Sequence, residues 1–156
     1  MKNISTRKII KIFNDGSLAR VELLEGNIIR KTFKNLISFK KEVISLTRLQ
    51  GSKHFPKIYK IIDNCVYMEY CGKSLDKNKT VKIPSDWKQQ IANIKNSLIK
   101  NKINHNDILE KNICIINNTI KLIDFGIANS SYFEMENQIS NLYAILFKKF
   151  MRRFSR

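Results

Sequence analysis

The chain has 156 residues, of which 43% are hydrophobic, enough for a packed core and against wholesale disorder. No apolar run reaches the ~18 residues of a membrane-crossing helix, and the first residues, with Lys2, Arg7 and Lys8, lack the apolar stretch and small-residue cleavage site of a secretory signal. A single domain in the intracellular, cytoplasmic space is therefore expected, and its net charge of +16 points to polyanions such as nucleic acid, acidic surfaces or nucleotide phosphates, with a Lys-, Ile- and Asn-rich composition bias as the equal alternative.

The first third reads as strands. Ile9, Ile10 and Ile12 open one, and Asn14-Asp15-Gly16-Ser17 is a turn signal. Arg20 to Leu24 is a second strand, Glu25-Gly26-Asn27 a second turn, and Ile28 to Phe33 a third strand. In the third, Ile29, Lys31 and Phe33 share one face and Ile28, Arg30 and Thr32 the other. A lysine between two apolar neighbours on one face is expected to aim its charge into a cleft. From Leu36 to Leu49 the period becomes helical, through Phe39, Val43, Leu46 and Leu49, with Gly51 as the expected stop. Two more strand-like runs follow, Ile58 to Ile62 and Cys65 to Tyr70, separated by Asp63-Asn64.

The second half is different in kind. Asp86 to Asn101 predicts a helix with Trp87, Ile91, Ile94 and Leu98 on its apolar face. Short apolar runs, Ile113 to Ile116 and Ile120 to Ile123, flank the turn Asn117-Asn118, and Ser140 to Arg152 predicts a last amphipathic helix. Three cysteines (Cys65, Cys71, Cys114) and two histidines (His54, His105) show no metal-ligand spacing, so reduced thiols are expected.

The informative stretch is His105-Asn106-Asp107-Ile108-Leu109-Glu110-Lys111-Asn112, followed after the expected hairpin by Asp124-Phe125-Gly126. The spacing H-x-D-x-x-x-x-N…D-F-G resembles the catalytic loop and metal-binding triplet of protein kinases. A lone Asp-Phe-Gly carries little weight; the joint pattern across a hairpin carries much more. The alternative is that Asp107 and Asn112 cap turns and Asp124 ends a strand. The match reaches beyond this loop. Met68-Glu69-Tyr70-Cys71-Gly72 resembles the kinase hinge, Lys31 the strand lysine that meets the nucleotide phosphates, and Glu42 its ion-pair partner. Asn14 to Val21 lines up with G-x-G-x-x-G-x-V, but only Gly16 and Val21 remain of it. Asn106 stands where the usual arginine would be, Leu109 where Ser/Thr kinases carry a lysine, and Asn141 where an aspartate props the catalytic loop. The 30 residues after Gly126 contain no A-P-E triplet and leave no room for peptide-docking helices. A short C-lobe of this kind is similar to that of RIO-type and tRNA-modification-complex kinases.

The resemblance, over about residues 8–147, implies an α+β two-lobed fold: a small antiparallel N-lobe sheet with one helix (about 1–70), a hinge (about 68–75) and a reduced helical C-lobe (about 76–156). It implies ATP and magnesium as cofactors. Asp107 is then the catalytic carboxylate, with Lys31 and Glu42 in support. Gly16, Val21, Lys31, Glu69, Cys71, Asn112 and Asp124 face the nucleotide, and Asn112 and Asp124 face the metal. A Ser/Thr protein kinase with a protein substrate follows, with a pseudokinase or nucleotide-binding regulatory module as the alternative and a small-molecule kinase as a further one. The basic tail, Lys148-Lys149 and Arg152-Arg153, is a candidate polyanion contact.

Overall fold

The computed structural model describes residues 3–130 and 135–155. Strands β1 (Ile9–Asp15), β2 (Ala19–Leu24), β3 (Ile28–Phe33), β4 (Ile58–Ile62) and β5 (Cys65–Glu69) form one antiparallel sheet in the order β1-β2-β3-β5-β4, with α1 (Leu36–Arg48) inserted after β3. Helix α2 (Trp87–Lys100), the hairpin β6 (Ile113–Ile116) and β7 (Thr119–Leu122), and helix α3 (Met135–Met151) complete the chain. This is the α+β arrangement expected, a sheet with one helix followed by a mainly helical half.

The turns follow from residues that tolerate a left-handed backbone. Gly26 and Asn27 lie at φ 84° and 57° between β2 and β3, and Asn117 and Asn118 at 48° and 61° between β6 and β7. On β3 the alternation works as read. Ile29, Lys31 and Phe33 are buried toward the main core, while Arg30 on the opposite face donates from Nε to Glu22 Oε2 at 2.6 Å. That opposite face carries a small cluster of Leu24, Ile28 and Tyr67, covered by Ile4. The main core is continuous through both halves, from Ala19 and Leu46 to Phe125, Ile91 and Leu146.

Four expectations need correction. Strand β1 runs on through Asn14 and Asp15, so the first turn is confined to residues 16–18; Gly16 N–H bonds back to the Ala19 carbonyl at 3.2 Å. Helix α1 stops before Gly51, because the Leu49 N–H already closes onto the Ser45 and Leu46 carbonyls. Helix α2 is one residue shorter at each end than the expected Asp86 to Asn101, which are its two cap residues; the Asp86 carboxylate accepts from Gln90 Nε2 at 2.8 Å. Helix α3 begins at Met135, ahead of the expected Ser140, because Met135, Gln138 and Ile139 are buried. Gln138 is a polar residue at a core-facing position, which hid the first helical turn from a count of apolar residues. The cysteines are free thiols; burial pushes Cys114 up to about 12 and Cys71 higher still, so neither is a ready nucleophile.

Candidate active site

Alternation in β3 turns Lys31 inward, and the register of β3 against β2 and β5 sets it between Val21 and Val66. Helix α1, capped by the Asn35 side chain on the Ser38 N–H, brings Glu42 to meet it. Lys31 Nζ lies 3.2 Å from Glu42 Oε2 and 3.0 Å from Asp124 Oδ1. Glu42 Oε2 also accepts the Phe125 N–H at 2.7 Å. Residues 31, 42 and 124 come from three separate segments; the Lys31–Glu42 pair was expected from the resemblance, and the contact of Lys31 with Asp124 was not.

Burial works against the Lys31 ammonium, but the Glu42 and Asp124 carboxylates outweigh it and hold its pKa above the ordinary lysine value. Burial likewise works against the Asp124 carboxylate, and the Lys31 charge with its hydrogen bond wins, keeping Asp124 below the usual carboxylate range. Glu42 is pushed up by burial, against the attraction of Lys31. The three form a charged cluster in which only Asp124 reaches solvent, its side chain 46% exposed against 10% for Lys31 and 1% for Glu42.

The second cluster is built on the loop before β6. The Asp107 N–H donates to His105 Nδ1 at 3.1 Å, and His105 Nε2 lies 2.8 Å from the Ile123 carbonyl. Because Nδ1 accepts, the ring proton sits on Nε2 and donates to Ile123. Burial holds His105 below its ordinary pKa, in keeping with that neutral ring. Phe125, fully buried, packs edge-on against His105 at 4.6 Å and Phe55 at 5.8 Å, so the two clusters share a wall. The Asn112 amide donates to the Asp107 carbonyl at 2.8 Å and to Asp107 Oδ2 at 2.9 Å, and Lys111 Nζ lies 3.4 Å from the same Oδ2. Asp107 is therefore oriented through Oδ2, with its side chain 22% exposed. Asn112 is joined to the triplet through the Ile123 N–H, which bonds to the Asn112 carbonyl at 2.9 Å.

Of Asp124, Gly126 and Gly16, only Asp124 has a left-handed backbone. Asp124 itself takes the left-handed conformation, φ 66°, whereas Gly126 does not, so the turn out of the site is made at the aspartate. Asn14 is in extended strand and Gly16 has no positive φ, so the β1–β2 turn does not take the glycine-dependent shape that its register implied. Asp15, the last residue of β1 before this turn, is clamped by Lys34 at 2.7 Å and Arg20 at 3.3 Å. Val21 packs against the main core.

At the hinge, the Glu69 carboxylate is not free. It holds Lys121 of β7 at 3.0 Å and accepts the Lys57 N–H at 3.2 Å, tying the sheet to the hairpin. The Glu69 N–H goes to the Lys57 carbonyl and the Tyr70 N–H to the Asn27 carbonyl. The Cys71 thiol lies 3.8 Å from the Glu69 carbonyl, and Phe13 stacks on Tyr70 at 5.8 Å.

Three structural residues escaped the sequence reading. Gln138, not Asn141, props the loop: its Oε1 accepts the Asn106 N–H at 2.9 Å and its Nε2 donates to Asn106 Oδ1 at 3.0 Å, while Asn141 is exposed. Lys121 carried the same signature as Lys31, a lysine inside an apolar strand. Lys149, expected as a free tail cation, is instead folded in, 3.3 Å from the Leu75 carbonyl and 3.3 Å from Glu110. Among the described residues no group of three or more His, Cys, Asp or Glu could hold a metal, and no helix is long and apolar enough to cross a membrane.

A lysine locked to a helix glutamate, a loop aspartate steadied by an asparagine, and a hairpin returning to Asp-Phe-Gly are the parts of a kinase-like, ATP-binding fold. Consistent with this, the RIO domain family model matches residues 25–154, most of the chain. The chain belongs to the RIO domain family, an atypical protein-kinase-like family.

Proposed function

We propose that this protein is a magnesium- and ATP-dependent phosphotransferase that acts on a Ser or Thr hydroxyl of a protein. The observation that carries this reading is the orientation of Asp107. Its Oδ2 is held by Asn112 and Lys111, beside a complete Lys31–Glu42–Asp124 cluster. A module that only held a nucleotide would have no need of an oriented carboxylate there.

In the reaction, the acceptor oxygen bonds to the γ-phosphorus as the bond from that phosphorus to the ADP oxygen breaks. The hydroxyl proton passes to Asp107 and from there to water. Lys31 meets the phosphate charge, with Glu42 fixing its direction. The Glu69 carbonyl and Cys71 N–H are the hinge groups that would take the adenine edge; among the described residues the Cys71 N–H has no partner. Asn112 and Asp124 would hold magnesium, which when bound neutralises charge on the phosphates. Two protein oxygens suit an ion that takes its other ligands from phosphate and water. The donors fit: the Asn112 NH2 is engaged with Asp107, which leaves its amide oxygen as the ligand atom, and Asp124 is charged and solvent-facing.

One observation favours the second reading, a nucleotide-binding regulatory module. Asp15 places a carboxylate at the end of β1, next to the turn that would lie over the phosphates, where it opposes their charge and the close hold that transfer needs. A thermal-shift titration separates the two. ATP with magnesium at a hundred times Kd should raise Tm by about 5–10 °C, and EDTA should remove the rise. A shift by nucleotide without any transfer to protein would favour the regulatory module; no shift at all would sink both readings.

We also propose a polyanion contact at the exposed end of α3, through Lys148, Arg152 and Arg153. Deleting the tail is a poor test because it also removes Lys149 from Leu75 and Glu110. Reversing the three exposed charges to glutamate should weaken retention of single-stranded RNA and flatten its log–log salt dependence by about 0.7 per lost phosphate contact. An unchanged slope would reduce the three to a solvated helix end.

A further inference from the structure

Beneath Asp107 a cleft of about 350 Å³ opens between the loop residues 106–109 and the exposed side of α3, within the size range of ligand sites. Its helix wall is made of carboxamides: Asn137, Gln138 and Asn141. Gln138 is engaged with Asn106, which fixes the helix to the loop and so sets the wall's position relative to Asp107. Asn137 and Asn141 are exposed and have no hydrogen-bond partner among the described residues. They lie at i and i+4, on one face of the helix and about 6 Å apart along its axis. The two-residue repeat of an extended chain is about 6.6–6.8 Å. Two carboxamides at this spacing match alternate peptide units along one edge of an extended segment, each offering one donor and one acceptor to a group that has both.

The loop wall adds Ile108 and Leu109, the latter half-exposed. Among the described residues that line the cleft Asp107 is the one ionisable group, and its Oδ2 is already paired with Lys111. A charged side chain beside the acceptor hydroxyl would lose hydration, and among the described lining residues the one carboxylate in reach is already paired with Lys111.

We propose that this cleft is the acceptor subsite and takes an extended peptide, held by its backbone amides at Asn137 and Asn141, with uncharged residues on both sides of the hydroxyl. It rests on the phosphotransferase reading for the role of Asp107, but its binding can be measured without any transfer. Leu109, where other kinases carry a lysine, then serves as an apolar contact for the residue next to the hydroxyl.

The test uses three fluorescein-labelled heptapeptides with a central serine, flanked by alanine, glutamate or lysine, and polarisation to read binding to the full chain. The alanine-flanked peptide should bind best. Asn137→Ala and Asn141→Ala should each weaken it about fivefold, as expected for one or two neutral hydrogen bonds. Both substitutions are on the surface, so Tm and the affinity for ATP should not change. N-methylation of the peptide backbone should weaken binding at alternate residues and not at those between. Equal binding of all three peptides, a preference for the glutamate-flanked one, or a double variant that binds like the wild type overturns the proposal. Transfer from radiolabelled ATP to the same peptides separates this from the broader reading. Binding with the expected pattern but no transfer upholds the cleft and removes the phosphotransferase. Transfer that is indifferent to both substitutions removes the cleft alone.

Discussion

Asp124→Asn should abolish both the magnesium-dependent rise in Tm with ATP and all phosphotransfer, whereas Asp107→Asn should cut transfer by about 10²–10⁴-fold and leave the ATP shift intact. The split follows from what each carboxylate touches. Asp124 is linked to Lys31 at 3.0 Å and is held ionised by it, so in the proposed reaction it would be the charged oxygen ligand for a cation at the phosphates. Asparagine at 124 keeps the left-handed backbone, φ 66°, that alanine would strain, so loss of charge is tested without distortion of the turn. Lys31 would still have Glu42, and the cluster should survive. Asp107 has no contact with Lys31 or Glu42. Its backbone carbonyl would go on holding the Asn112 amide at 2.8 Å in the variant, and its pairing with exposed Lys111 contributes little to stability. Transfer by Asp107→Asn at the wild-type rate, measured with radiolabelled ATP, would remove Asp107 from the chemistry. An Asp124→Asn protein that keeps its magnesium-dependent shift would remove the metal assignment.

Much of this arrangement was legible because local rules and the fold agree. Lys31 could be read as inward-facing from period-two alternation alone, and Arg30 as outward-facing by the same argument. Asn117-Asn118 announced the hairpin that carries Asp124 back to the loop, since both residues accept the left-handed backbone a tight turn needs. Beyond the Lys31–Glu42 pair that the resemblance implied, contacts between separate segments could not be read. The Phe125 N–H on Glu42 and the Gln138 prop on Asn106 depend on which helix packs where, and no spacing encodes that. The structural duties of polar side chains were also missed. Glu69 was expected to matter through its backbone, yet its side chain ties the sheet to Lys121, and Lys149 left the tail to brace Leu75 and Glu110. In each case the partner lay more than 30 residues away, where no local spacing points to it.

The second large effect is on stability, and it bears on how Lys31 can be tested. Lys31→Met should lower stability by about 3–5 kcal/mol, because it leaves the Glu42 carboxylate, 1% exposed, without its counter-charge. At about 2–4 °C per kcal/mol for a chain of this size, Tm should fall by roughly 6–20 °C. A lost ATP shift in that single variant would therefore not distinguish a missing phosphate contact from a loosened site. Glu42→Leu alone should also destabilise, since Lys31 would keep only solvent-facing Asp124 as a partner. The double variant, Lys31→Met with Glu42→Leu, replaces the buried pair by apolar side chains and should recover much of the loss. One group would stay unsatisfied, the Phe125 N–H that now bonds to Glu42 at 2.7 Å, so recovery should stop short of wild type by about 1–3 kcal/mol. A double-mutant cycle by urea unfolding measures the coupling directly. Additive effects would mean that the pair does not act as a unit. If the double variant folds near wild-type stability and still gives no response to magnesium and ATP, the lost response belongs to the missing Lys31 charge at the phosphates and not to a collapsed site.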